Sequence, residues 1–170
     1  MYTKEQLLKY PYFEEVLKTR DISSVVDSLT GLVSRPYMLE FIKNLVDNHV
    51  PFTMAMLDLD NFKFVNDTYG HKIGDGVLAG LSNDLSRYLG DYGIAGRYGG
   101  DEFIVVNFRD ITYDALKEFY NGLYSDYNVL RKNIFLGDCE PFITGTIGSA
   151  VYPKDASEYD GLFELADKAL

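Results

Sequence analysis

The sequence predicts one α+β domain, and three observations carry that reading. Phe52 to Leu59 is an apolar run bounded by Pro51 and Asp60, as expected of a buried strand. Gly99-Gly100 sits between two further strand-like stretches, 93–98 and 101–108. A Gly-Gly pair there signals a hairpin, because glycine admits the positive φ angles of tight two-residue loops. Several other stretches repeat apolar residues at helical spacing.

In chain order, residues 3–20 carry Leu7, Leu8, Tyr12, Phe13, Val16 and Leu17 in a helical stripe that Pro11 interrupts. The segment 1–26 is read as a helical arm or linker, with a frayed extension as the other reading. Asp27 to Gly31 reads as a turn. A helix is expected from Ser34 or Arg35 to about Asn48, on Tyr37, Met38, Phe41, Ile42 and Leu45. After the 52–59 strand, a short helix from about Asn61 to Tyr69 is closed by Gly70. The next starts near Gly74-Asp75 and carries Val77, Leu78, Leu81, Leu85, Tyr88 and Leu89. Beyond the hairpin, Thr112 to about Arg131 is expected as helix, Phe142 to Val151 as strand and Glu158 to Leu170 as helix.

At 170 residues the chain is long enough for a real core without disulfides or a structural metal. Its apolar fraction of 46% and charged fraction of 25% are ordinary for a globular protein. The 14 Tyr and 11 Phe are read as core filling. The lone Cys139 excludes an intrachain disulfide framework and suits a reducing compartment. No secretory leader and no bilayer-spanning run are read, so a cytoplasmic location without membrane contact is expected. A net charge of −10, with 16 basic residues scattered among 26 acids, argues against nucleic acid as a partner. A nucleotide ligand would need a metal cation and a few placed donors.

Two acidic clusters stand where such a cation could bind. Asp58-Leu59-Asp60 ends one strand, and Asp101-Glu102 begins the outgoing arm of the hairpin. Mg²⁺ takes oxygen ligands, often one or two carboxylates plus phosphate oxygens. Asp58 and Asp101 could supply them, or both could simply be solvated strand ends. Asp60 is expected to cap the short helix, which puts Lys63 and Asn66 on one face. Lys63 is then a candidate phosphate partner and Asn66 a candidate base-edge reader. Asp75 could accept from a purine's N–H and amino groups. Each of these three also has a plain reading as a solvated or capping residue.

These residues fall into ordered motifs. Gly99-Gly100-Asp101-Glu102-Phe103 is one, and residues 58–67 follow D-x-D-x-F-K-x-x-N-D. Residues 70–75 follow G-H-x-x-G-D, and 27–35 resemble D-x-L-T-G-L-x-N-R with Ser34 in place of Asn. Ile143 to Pro153 resembles a late strand, and residues 166–170 read A-D-x-A-L. Over residues 27–170 the chain therefore resembles the diguanylate cyclase, or GGDEF, family. That likeness implies a central, mostly antiparallel sheet flanked by helices, similar to the nucleotidyl cyclase and polymerase palm with its ferredoxin-like βαββαβ core.

The resemblance further implies condensation of two GTP molecules into cyclic di-GMP, with pyrophosphate released. Asp58, Asp101 and the Leu59 carbonyl would hold Mg²⁺ or Mn²⁺, and Glu102 would assist as ligand or proton acceptor. Lys63 would meet phosphate, and Asn66 and Asp75 would read guanine. Phe62, His71, Gly99 and Gly100 complete the implied substrate site. One domain holds one GTP in this family, so a homodimer is implied, with a sensor or regulatory domain outside the chain. A catalytically idle module that binds GTP or a partner protein is the alternative.

Two departures from the family pattern matter. Many members carry R-x-x-D, a product-inhibition site, where this chain has Gly90-Asp91-Tyr92-Gly93, with Arg87 and Asp91 at the wrong spacing. Product inhibition there is expected to be absent or weak. The family also continues past A-D-x-A-L into a Lys- and Arg-bearing segment, whereas this chain stops at Leu170. The domain is therefore expected to be truncated, with weakened GTP binding and turnover, since each charge-assisted contact contributes about 1.5–3 kcal/mol.

Overall fold

The apolar run over residues 52–59 is one of the two central strands of the sheet. In the computed structural model, which describes residues 1–109, 112–126 and 128–170, six strands join: β1 (Val33–Ser34), β2 (Phe52–Leu59), β3 (Gly93–Gly99), β4 (Glu102–Asn107), β5 (Arg131–Asn133) and β6 (Phe142–Tyr152). Their order is β1-β3-β4-β2-β6-β5, and every neighbouring pair is antiparallel except β1 with β3. β2, β3, β4 and β6 with the helices between them form the βαββαβ core expected from the sequence. β2 has a neighbour on each side, and every residue in it is buried except Asp58.

Helices cover both faces: α4 (Arg35–Asp47), α5 (Phe62–Tyr69), α6 (His71–Leu89), α7 (Tyr113–Asn121) and α8 (Tyr159–Ala169). The strand register puts Gly96, Ile104, Met56 and Gly148 on one face. A Cβ on Gly96 would stand 2.7 Å from Met38 of α4, and one on Gly148 would stand 2.2 Å from the Ala166 carbonyl of α8. Glycine thus lets α4 and α8 approach the pleat closely. On the opposite face, Gly93 lies under Leu89 of α6, and the Tyr120 hydroxyl of α7 donates to Ser149.

Residues 1–26 fold onto this core as α1 (Lys4–Leu7), α2 (Pro11–Val16) and α3 (Ile22–Val25). Pro11 does not break a helix here; it opens α2, where its missing N–H costs nothing. Tyr2, Leu7, Phe13, Leu17 and Val25 are buried. Two tyrosines also complete the edge of β3 beyond the reach of the two-residue β1. The Tyr2 hydroxyl accepts from the Ala95 N–H at 2.9 Å, and the Tyr10 hydroxyl donates to the Gly93 carbonyl at 3.0 Å.

Four boundaries differ from the sequence reading. The hairpin turn is Gly100-Asp101 rather than Gly99-Gly100, because Gly99 pairs with Glu102 after an irregularity in β3 and Gly100 takes the positive φ of +49°. α6 begins at His71, so Asp75 lies in its second turn and not at its start. The helix expected over 112–131 ends at Asn121, continues as one π turn over Gly122–Asp126, and gives way to β5. Position 127 of that stretch lies outside the described residues. Finally, Asn61, not Asp60, occupies the N-cap of α5, in a left-handed conformation with φ +56°.

Candidate functional site

β2 ends at the level where β4 begins, which sets two acids side by side. Asp58 and Glu102 are Cα partners in the β2–β4 ladder, and Asp101 lies in the adjoining turn. Directly opposed residues of an antiparallel pair share a face. On its other flank Asp58 pairs with Thr146 of β6. Asp60 is held there too: its carboxylate accepts from the Thr146 hydroxyl at 2.8 Å, and its N–H donates to the Thr144 carbonyl at 2.9 Å. The hydroxyl of β6 therefore takes the carboxylate expected to cap α5.

This arrangement is electrostatically uncomfortable. Partial burial pushes the Asp58 carboxyl above its ordinary pKa, and the charges of Asp101, Glu102 and Asp60 push it further. Among the described residues no ion pair involves any of these four acids. Nor do three or more His, Cys, Asp or Glu among them form a metal cage. Carboxylates gathered at a strand end suit Mg²⁺ or Mn²⁺, hard cations that take oxygen ligands and complete their shell with water and phosphate oxygens. The donor set fits such a cation.

The hairpin is braced from the start of the domain, a function the sequence reading did not assign. Arg97 donates from Nε and Nη2 to the Gly100 carbonyl at 3.1 and 2.8 Å, and its Nη1 meets Asp27 Oδ1 at 3.4 Å. Asp27 also accepts from the Thr30 amide and hydroxyl at 2.9 and 2.7 Å. Burial acts to raise the Asp27 pKa, but the Thr30 bonds and then Arg97 outweigh it and hold the carboxyl below its ordinary value. Arg35 stacks 4.2 Å above the Tyr98 ring, just before Gly99. The signal was present: Asp27 and Arg35 both belong to the entry motif, and Arg97 stands two residues before the glycine pair. Of that pair, Gly100 needs its positive φ, while a Cβ on Gly99 would lie 4.0 Å from the Glu102 carboxylate.

The candidate nucleotide residues lie on α5 and α6, which follow β2 directly. Lys63, His71 and Asp75 are exposed, and Phe62 and Asn66 are half-buried. A Cβ on Gly74 would fall 1.9 Å from Asn66 Oδ1 and 3.2 Å from Phe62. The missing side chain of Gly74 thus seats Asn66 against the residue next to Asp75. Leu59 is buried as the last residue of β2. The cavity of about 730 Å³ bounded by Arg87, Tyr88, Arg109, Phe119 and Lys132 includes none of these residues. Among the described residues no helix is long and apolar enough to cross a membrane.

Comparison with known proteins identifies the domain family. The family model "Diguanylate cyclase, GGDEF domain" matches residues 24–170. The diguanylate cyclase DgcZ of Escherichia coli (strain K12) is 45% identical over 87 residues, covering 50% of this chain and 29% of that protein. The diguanylate cyclase DgcS of Shewanella oneidensis is 30% identical over 98% of this chain and 55% of its own length. The chain thus spans roughly a third to a half of these relatives. Among solved structures, a sensory box/GGDEF family protein from Caulobacter crescentus CB15 superposes with a TM-score of 0.72 at 29% identity, covering 86% of this chain and 95% of that one.

Proposed function

The chain belongs to the GGDEF domain family of diguanylate cyclases, and from that premise we propose that it condenses two molecules of GTP into cyclic di-GMP, releasing two of pyrophosphate, across a homodimer. The observation that carries the reading is the placement of Asp58 opposite Glu102, with Asp101 at the adjoining turn and the Asp58 carboxyl pushed upward by its neighbours.

In each of two condensations a ribose 3′-oxygen bonds to the α-phosphorus of the other GTP, and the bond to the β-phosphate oxygen breaks. Asp58, Asp101 and the Leu59 carbonyl would hold Mg²⁺ or Mn²⁺, which would neutralise charge at the phosphates and make the ribose hydroxyl more acidic. Glu102, beside Asp58, serves as a further ligand or as acceptor of the hydroxyl proton. Gly100 keeps the turn free of a side chain where the phosphates approach, and Arg97 fixes the carbonyl of that turn. Lys63 offers a cation to the phosphates from the first turn of α5.

Asn66 and Asp75 read guanine, Asp75 accepting from the N1–H and amino group that adenine does not pair in this way. Phe62 and His71 border the same α5–α6 corner. One chain presents one such corner and one hairpin, so two GTP molecules meet when two chains face each other. Activity therefore depends on a homodimer, and regulatory input comes from parts of the protein outside this domain.

The test is incubation with GTP and Mg²⁺, with product identified by mass spectrometry. Cyclic di-GMP should form, with an initial rate rising as the square of protein concentration while dimers are scarce, and Asp101→Ala should abolish it. GTP binding without turnover in the wild type would favour the regulatory reading instead.

A further inference from the structure

β5 and the segment that follows it lie along α6 in matched steps. The Lys132 ammonium donates to Asp84, a Cβ on Gly80 would stand 3.5 Å from Ile134, and a Cβ on Gly76 would stand 2.9 Å from Leu136. Positions 84, 80 and 76 are four apart on the helix, while 132, 134 and 136 are two apart on the extended segment. Four helical residues rise about 6 Å, and two extended residues advance about 6.6 Å. The two repeats are therefore nearly commensurate, and the segment runs antiparallel to α6 toward its N-terminal turns.

The segment is also anchored to the sheet. β5 pairs with β6 through Arg131–Thr144, Lys132–Ile143 and Asn133–Phe142, and the Ile134 N–H donates to the Pro141 carbonyl at 3.0 Å. Leu136 and Cys139 exchange backbone bonds of 2.8 and 3.1 Å, closing a turn in which Gly137 has φ +62°. Leu136 is thus presented by a tight turn rather than a loose loop.

At its N-terminal end α6 is gripped from two sides. Gly74 receives Asn66 and Phe62 from α5, and Gly76 receives Leu136. Residues two apart on a helix point about 200° away from each other, so these contacts oppose, and exposed Asp75 projects between them.

We infer that this segment is a brace that presses α6 onto α5 and fixes Asp75 relative to Asn66, making Leu136 a positioning residue for guanine recognition. The inference rests on the proposed reading of Asn66 and Asp75. Truncating Leu136 leaves α6 unsupported on one side, and Asp75 drifts from the geometry that meets both guanine donors.

The test compares affinities for GTP and inosine triphosphate, which lacks the amino donor, by calorimetric titration with Mg²⁺. Leu136→Ala should reduce the preference for GTP by about tenfold, part of what one hydrogen bond to a charged group contributes. Leu136→Met, which refills the space, should restore it. Gly76→Ala, which crowds the flexible end of Leu136 in a helix that favours alanine, should reduce the preference too and serves if Leu136→Ala does not fold. Folded variants with an unchanged preference would overturn the brace. A wild type without preference, or a preference untouched by Asp75→Asn, would instead remove the guanine reading beneath it.

Discussion

At Asp58, partial burial and three neighbouring carboxylates act in the same direction. Its folded pKa lies above its unfolded value, so its ionisation opposes folding, and that penalty grows as pH rises through the folded pKa. Asp58→Asn should therefore raise the thermal midpoint at neutral pH without divalent ions, while Mg²⁺ should raise it for the wild type and barely for the variant. The same substitution should slow cyclic di-GMP synthesis by about 10²–10³-fold, the typical cost of losing one preorganised group that meets developing charge. A variant no more stable than the wild type in chelator would contradict this account of the acids. Asp27 has the opposite sign. Its lowered pKa contributes stability that is in place above the ordinary carboxylate range and is lost as pH falls through the folded value. Arg97→Ala should cost about 1–3 kcal/mol near neutrality, and acid titration of unfolding should show the gap from the wild type narrowing as Asp27 protonates.

At the scale of elements, the hairpin and the α5–α6 corner depend on glycine for different reasons. Gly100 is needed for its φ of +49°, which costs a side-chain-bearing residue about 1–2 kcal/mol. Gly74 is needed for space, since a Cβ there meets Asn66 Oδ1 at 1.9 Å. Gly74→Ala should displace Asn66 and raise the GTP Michaelis constant by more than it lowers turnover; an equal loss in both would argue against a binding role for this corner. β2, α4 and the hairpin were legible because each rests on one strong local signal: an apolar run, a helical stripe or a glycine pair. The turn register was not, because Gly99 and Gly100 look alike until β4 pairs one of them. β1 and β5, of two and three residues, are too short for a periodic signal and exist only through their partners. The acids and the nucleotide candidates stood out by motif, whereas the reach of Arg97 and Asp27 to the hairpin needed the fold to join positions 70 residues apart.

Over the whole molecule, the first 26 residues belong to the structure that holds the hairpin. Phe13 is fully buried and packs 5.1 Å from the Phe41 ring of α4, while Tyr2 and Tyr10 complete the edge of the strand that leads to Gly99. Phe13→Ala should cost about 3–5 kcal/mol in urea unfolding, as for a large aromatic removed from a core. A loss below 1 kcal/mol would mean that the segment is merely appended. The central claim is that the acids at the end of β2 and the head of β4 serve a metal-assisted condensation of GTP. Its most direct test is mass spectrometry of the products formed from GTP and Mg²⁺ by the full-length protein and its Asp101→Ala variant. Cyclic di-GMP from the former and none from the latter is the predicted result; the same product from both would contradict the account.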